Sequence, residues 1–252
     1  MAVYVVSDLH GYNQLFREGL KKIKFKDTDR LYVLCDCIYR GPDGIDILET
    51  IRHSDNMDLI IGNHEFMMLQ SLREDGGKDI VNNRFDNAIL WLDYNGGTVT
   101  YKRYCDMEEK ARKDLINWMK KRPCIQTLEV NGINYCLLHS CYRPEFENVP
   151  FSEIPYVEAY RLVWYSMFRD DTFCENNYKE YELTFITGHV PVQKILYEKT
   201  GRVDKAQFSS YREENFYNID GGCAFGPQDE FANGAIFLRL DDRKEFCISF
   251  QE

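Results

Sequence analysis

The sequence predicts an α/β fold built on a parallel sheet, and three observations carry that prediction. The first third alternates short β-branched or apolar runs with segments of helical periodicity, the pattern of successive βα units. Each of the first three runs ends in a polar cluster: Asp8-Leu9-His10-Gly11, Cys35-Asp36-Cys37-Ile38-Tyr39-Arg40-Gly41 and Gly62-Asn63-His64-Glu65. Four of the chain's five histidines follow apolar runs in this way, the later two in Leu138-His139-Ser140 and Gly188-His189-Val190. Parallel α/β sheets bind ligands beyond the carboxyl ends of their strands, so the same clusters predict a site.

Residues 3–6 form a first β-branched run, and residues 12–23 place Leu15, Phe16, Leu20 and Ile23 at helical spacing. Residues 31–34 are the second run, after which Pro42-Asp43-Gly44 opens a helix to Ile51. Residues 57–61 are the third, leading through Gly62 into a helix over 66–72. From Glu74 to about Arg122 the pattern turns helical and polar. Residues 85–94 read as a helix stopped by Asn95-Gly96-Gly97, a C-cap signal. Residues 108–121 read as a second helix, with Leu115, Trp118 and Met119 on one side. The segment at about 75–122 is therefore expected to be a helical insertion in a single domain spanning residues 1–252. Ile125–Val130 and Ile133–Leu138 flank Asn131-Gly132, a strong hairpin signal whose second strand delivers His139. An aromatic-rich helix is expected over 156–168, and strands over 183–187, 216–220, 235–240 and 245–250.

Composition narrows the function. With 252 residues, 44% hydrophobic and 29% charged, the chain is long enough to bury a core without disulfide staples. Its net charge of −10 repels phosphate backbones and anionic membranes, which argues against nucleic-acid and membrane partners. The nine cysteines show no CxxC pair, so reduced cysteines in a cytoplasmic protein are expected. Cys37 and Cys223 lie close to the clusters but read as small buried hydrophobes. The first residues run straight into a strand without the basic and apolar regions of a signal peptide. No window approaches the roughly 18 apolar residues of a membrane span.

Asp, Asn and His are the ligand types that hold a pair of divalent ions. Two such ions about 4 Å apart clamp a phosphoryl group for in-line attack by water. Asp8 and His10 fit one ion, Asp36 is the natural bridge, and Asn63, His139 and His189 fit the other. Arg40 carries the bidentate fork for phosphate oxygens, and Asn63 also faces substrate. His64, next to a ligand, is placed to protonate the leaving oxygen. Asp220, before Gly221-Gly222, reads equally as a site acid or a loop cap.

These motifs, in this order, resemble the calcineurin-like metallophosphoesterase superfamily, and more closely its phosphoprotein phosphatase branch of bacterial and phage type. Arg40-Gly41-Pro42-Asp43-Gly44, Gly188-His189-Val190-Pro191 and Ile219-Asp220-Gly221-Gly222-Cys223 agree with it, so the resemblance runs from residue 3 to about 240. It implies a four-layer αββα sandwich with two mixed central sheets. It implies a dinuclear centre, most simply manganese, with iron, zinc or nickel as alternatives. It further implies hydrolysis of phosphomonoesters on phosphorylated proteins or small molecules, by water activated at the metal pair.

Departures at four positions stand against that pattern. Cys35 and Ser7 replace glycines. Tyr39 replaces the carboxylate that partners the general-acid histidine, so His64 is expected to hold its proton weakly and to favour good leaving groups. Ser166, in Leu162-Val163-Trp164-Tyr165-Ser166, replaces a phosphate-binding arginine for which Arg143, Arg161 or Arg169 are candidate substitutes. Two other functions therefore accompany the phosphatase. One is a dinucleoside polyphosphate hydrolase, with Trp91, Tyr94 or Tyr101 as an adenine clamp. The other is a pseudophosphatase that binds metal and a partner with little turnover.

Overall fold

The computed structural model describes residues 1–81, 87–169, 174 and 178–250. Its first sheet is nucleated by the two βα units legible in the sequence. β1 (Val3–Ser7), β2 (Arg30–Leu34) and β3 (Met57–Leu59) run parallel, with Val3 opposite Arg30 and Leu31 opposite Met57. The intervening helices α1 (Asn13–Lys22) and α2 (Gly44–Arg52) provide the crossovers. α3 (Asn63–Ser71) follows β3, and the short α4 (Asn87–Ile89) continues as a π-helical turn over Leu90–Tyr94. The helix expected from residue 85 thus begins, among the described residues, at Asn87; residues 85 and 86 lie outside them. α5 (Thr98–Asp106), which the sequence reading did not assign, and α6 (Glu109–Lys120) complete this stretch, and both pack on α2.

The second sheet opens with the hairpin of β4 (Ile125–Val130) and β5 (Ile133–Leu138), in the register expected, Val130 opposite Ile133. Asn131 and Gly132 both take positive φ, 52° and 77°, the turn conformation that Asn-Gly favours. α7 (Tyr156–Trp164) ends earlier than residue 168, because Tyr165 turns extended and its carbonyl accepts a hydrogen bond from Ser140 Oγ. β6 (Thr184–Thr187) runs parallel to β5, and α8 (Val192–Thr200) follows it. β7 (Tyr211–Glu213) and β8 (Phe216–Asn218) form an antiparallel pair. The chain then returns to the first sheet with β9 (Gly234–Arg239) and β10 (Lys244–Ser249).

Sheet orders are β10-β9-β1-β2-β3 and β4-β5-β6-β8-β7, each mixed. The expectation of a parallel sheet holds for its centre; β9 and β10 add antiparallel pairing at one edge. Strand alternation explains the layering. Val3 and Val5 of β1, Tyr135 and Leu137 of β5, Ile186 of β6 and Ile236 and Leu238 of β9 share one buried cluster between the sheets. Their neighbours Tyr4, Val6, Cys136, Leu138, Phe185 and Phe237 point the other way, into the cluster shared with the helices. Both faces of each sheet are covered, which is the four-layer helix–sheet–sheet–helix arrangement the family resemblance implies. Gly19 on α1 lets that helix sit directly on Phe237, since a Cβ there would lie 2.0 Å from the ring.

One cysteine expectation is corrected. Cys141 and Cys174 are joined by a disulfide across 33 residues, with Cα atoms 5.3 Å apart. Spacing gives no sign of this pair, because only the fold brings the segment after α7 against the end of β5. The seven other cysteines form no disulfide among the described residues, as expected. No helix among the described residues is long and apolar enough to cross a membrane.

Candidate metal centre

The loops after β1, β2, β3, β5 and β6 converge at the carboxyl ends of their strands. The loop after β1 and the loop after β2 are laced together: Asp8, His10 and Gly11 donate their N–H groups to Cys35, Asp36 and Cys37 carbonyls at 3.1, 2.7 and 2.8 Å. Gly41 returns a bond to His10 O at 2.7 Å, and the two backbones approach so closely at Gly11 that a Cβ would meet Gly41 O at 2.3 Å. The left-handed backbone is concentrated here. Asp8, His10, Cys35, Asp36, Tyr39, Arg40 and His189 all have positive φ, between 46° and 94°. Such conformations persist only where surrounding contacts over-determine them.

Glu65 supplies much of that determination. Fully buried on α3, its carboxylate accepts the N–H groups of Asp36 and Cys37, each at 2.9 Å, and the Cys35 thiol at 3.1 Å. The sequence places Glu65 in a cluster but assigns it no role. Its signal was the carboxylate two residues beyond a predicted ligand, at the start of a buried helix.

Asp36 is the hub. His64 Nε2 lies 3.5 Å and His139 Nε2 3.7 Å from its Oδ2, while His64 N–H donates to Oδ1 at 3.2 Å. Asn63 Oδ1 sits 2.9 Å from His139 Nε2, and His139 Nε2 is 3.0 Å from His189 Nδ1. Asp8 accepts the His189 N–H with both oxygens at 3.1 Å, so it faces the β6 loop and does not share a tight group with His10. The closest convergences are His10–Asp36–His64 and Cys35–Asp36–His139, each within 4.8 Å. Cys35 is a poor ligand in the second group. Its thiol already donates to Ile60 O and Glu65, and burial pushes its ionisation up.

The donor set fits divalent cations. Burial pushes the carboxyls of Asp8, Asp36 and Glu65 up, and that of Asp220 to about 7. Burial also pushes His10 down to about 3 and lowers His64 and His139 strongly. Both trends express one deficit, carboxylates without a compensating positive charge beside imidazoles that stay neutral. Dications supply that charge and bind neutral imidazole. Asn63 Oδ1, pointed at acceptors only, fits the same purpose.

A cavity of about 190 Å³ opens over this cluster, lined by His10, Asp36, Asn63, His64 and His189, with Arg40, Tyr39, Asn95, Lys194 and Asp220 around them. Tyr39 turns toward His64, but as a stack, with ring centroids 4.1 Å apart and planes at 26°. Its N–H is braced by Thr100 Oγ1 at 3.0 Å, from α5. His64 Nδ1 finds no hydrogen-bond partner among the described residues, so the phenol does not orient the imidazole. Of the candidates to replace the missing arginine, Arg143 pairs with Glu145 and Arg161 with Glu158, and neither lines the cavity. The side chain of Arg169 lies outside the described residues. The second cation at the cavity is Lys194, on a helix the sequence reading missed. Asp220 accepts the Gly222 N–H at 2.9 Å, as the loop-cap reading expects, and also borders the cavity. Cys37 and Cys223 are buried with their thiol ionisations pushed up, as inert core residues.

The calcineurin-like phosphoesterase family model matches residues 1–220. The chain belongs to this family. Among curated relatives, the symmetrical bis(5'-nucleosyl)-tetraphosphatase of Nitrosospira multiformis is 28% identical over 148 residues, covering 58% of this chain and 46% of that one. The protein of the same name from Erwinia tasmaniensis is 26% identical over 149 residues, covering 58% and 47%. The match therefore spans just under half the length of these relatives. The whole fold is shared with a metallophosphoesterase from Sphaerobacter thermophilus, at TM-score 0.53 and 14% identity, covering 99% of this chain and 87% of the other. It is shared also with a protein serine/threonine phosphatase from Saccharomyces cerevisiae, at TM-score 0.52 and 15% identity, covering 99% and 79%.

For this calcineurin-like phosphoesterase, Gly188 offers a direct test of the ligand set. A Cβ there would lie 2.0 Å from Asp8 Oδ2. Gly188→Ala is expected to turn Asp8 away and lower the amount of divalent metal bound, measured by atomic emission on the purified protein. Unchanged stoichiometry would remove Asp8 from the ligand set.

Proposed function

We propose that the chain hydrolyses dinucleoside polyphosphates, and the pair of cations on the cavity carries this reading. Arg40 and Lys194 are both exposed, both border the metal-ligand cluster, and neither forms an ion pair among the described residues. A chain of phosphates carries charge along its length, which these two cations would neutralise beside the cluster. The names of the curated relatives support the same substrate class, and the family match supports phosphoester hydrolysis. A cytoplasmic setting belongs to the reading.

Asp8, His10, Asp36, Asn63, His139 and His189 would hold two divalent ions, manganese in the first instance, which supply Lewis-acid charge and an activated water. Arg40 and Lys194 hold phosphate oxygens and fix the line of attack. Asn63 positions substrate beside the cluster. His64 offers a proton to the leaving oxygen, while stacked Tyr39 excludes water from one face of its ring. A neutral phenol brings no charge to stabilise protonated His64, so the proton is weakly held. This matters least when the leaving group is itself a phosphate, which departs as a stable anion. The Tyr39 departure therefore suits a phosphoanhydride better than a phosphoserine ester.

Two measurements test the proposal. Manganese-loaded protein is expected to convert diadenosine tetraphosphate to nucleotide products, followed by chromatography. Turnover on a phosphoserine peptide with none on the dinucleotide would return the site to phosphoprotein hydrolysis, and bound metal with no turnover on either would make it a pseudoenzyme. Tyr39→Asp is expected to raise kcat on phosphoserine roughly 100-fold, the lower end of the range of general acid catalysis, with much less effect on the dinucleotide. An equal gain on both substrates would sink the leaving-group argument.

A further inference from the structure

The cavity over the metal cluster does not close at Lys194. Beyond that side chain lies a second hollow of about 460 Å³, and Lys194 and Phe225 border both. Its other walls include Gln193, Tyr197, Val203 and Phe231. These walls are aromatic in a manner the core does not require. Tyr197, on α8, is 62% exposed, and Phe231 meets Phe225 edge to face with centroids 5.0 Å apart. Lys194 Nζ stands 5.9 Å from the Phe225 ring centroid. Gln193 is buried, with Nε2 bound to the Gly221 and Ala232 carbonyls at 3.0 and 2.9 Å. Its Oε1 has no partner among the described residues.

We propose that this hollow is the base subsite, holding the nucleobase of a nucleotide whose phosphates run past Lys194 to the metal cluster; this rests on the polyphosphate reading above. A lone apolar hollow would suit many occupants. Here the cation at the junction selects a ligand that is anionic at one end and flat and apolar at the other. Stacking on exposed aromatic rings recognises any base. Among its described residues the insertion offers no comparable surface. Trp91 is fully buried, Tyr101 Oη is bound to Lys78 O, and Tyr94, although 79% exposed, does not border the cavity.

Calorimetric titration of the manganese-loaded protein with AMP and with inorganic phosphate tests this without relying on turnover. AMP is expected to bind about tenfold tighter than phosphate, the contribution of one stacked base. Tyr197→Ala, at an exposed position that does not threaten the fold, and Phe231→Ala are each expected to bring the ratio of the two affinities toward one. Equal affinities in the unaltered protein would overturn the subsite, as would a ratio indifferent to both substitutions. A ratio lost instead in Tyr94→Ala would place the base on the insertion and overturn it equally. A base-dependent affinity without hydrolysis of diadenosine tetraphosphate would keep the subsite and remove the substrate reading. Hydrolysis with equal affinities for AMP and phosphate would do the reverse.

Discussion

Asp36→Asn is expected to reduce metal-dependent phosphoester hydrolysis on the order of a thousandfold, the scale seen when a main electrostatic contributor is removed from an active site. Asp36 belongs to both tight groups of candidate ligands, and its Oδ2 lies 3.5–3.7 Å from His64 and His139. No other side chain among the described residues occupies that intersection. Asparagine has the same shape and can still accept the His64 N–H that Asp36 Oδ1 accepts, so the loop is retained. The buried carboxyl of Asp36 is pushed up by burial and by Asp8, so a neutral side chain relieves repulsion in the metal-free protein. The metal-stripped variant should therefore melt no lower than the parent. Loss of activity and of one or both ions, with an unchanged melting temperature, is the expected combination. Full activity would remove Asp36 as the bridge, and a large fall in melting temperature would make its role structural.

Glu65→Ala is expected to have the largest effect on stability. Its carboxylate is the acceptor for two backbone N–H groups and one thiol inside the loop that carries Asp36. Removing it strands buried donors, each costing about 1–3 kcal/mol, and leaves a cavity. It also releases Cys35 and Asp36 from left-handed backbone, at φ 70° and 47°, that they hold only under constraint. A total near 4 kcal/mol corresponds to a fall in melting temperature on the order of 10 °C for a chain of this size. Glu65→Gln, which keeps one carbonyl acceptor, should lose about half as much. Thermal unfolding of both variants, metal-free and manganese-loaded, checks the order. If alanine and glutamine melted together with the parent, the clamp would carry no weight.

Much of this was legible in the sequence, and the reasons are local. The hairpin β4–β5 was exact to the residue because Asn131-Gly132 fixes both turn and register. β1, β2 and their helices were legible because alternation and helical spacing change sharply at polar clusters. The ligand candidates were legible because each ends an apolar run, so strand geometry alone delivers them to one edge. α5 was missed because Thr98-Val-Thr-Tyr reads as extended, and its helix depends on packing against α2. α8 was missed although Pro191 before it and Gly201 after it, at φ 68°, are start and stop signals. With α8 went Lys194 and Tyr197.

The sequence by itself determined the α/β order, the strand-end placement of Asp8, His10, Asp36, Asn63, His139 and His189, and through its motifs the phosphoesterase family. Those are properties of short segments, set by period, turn chemistry and ligand type. Tertiary structure decided what depends on residues far apart. It set Tyr39 face to face with His64, turned Asp8 toward the His189 N–H, placed Glu65 under the Asp36 loop, and joined Cys141 to Cys174. It also chose Lys194 over Arg143 and Arg161 as the second cation at the cavity. Side-chain direction at a crowded strand end is fixed by what packs against it from other layers, and no segment of the chain carries that information alone.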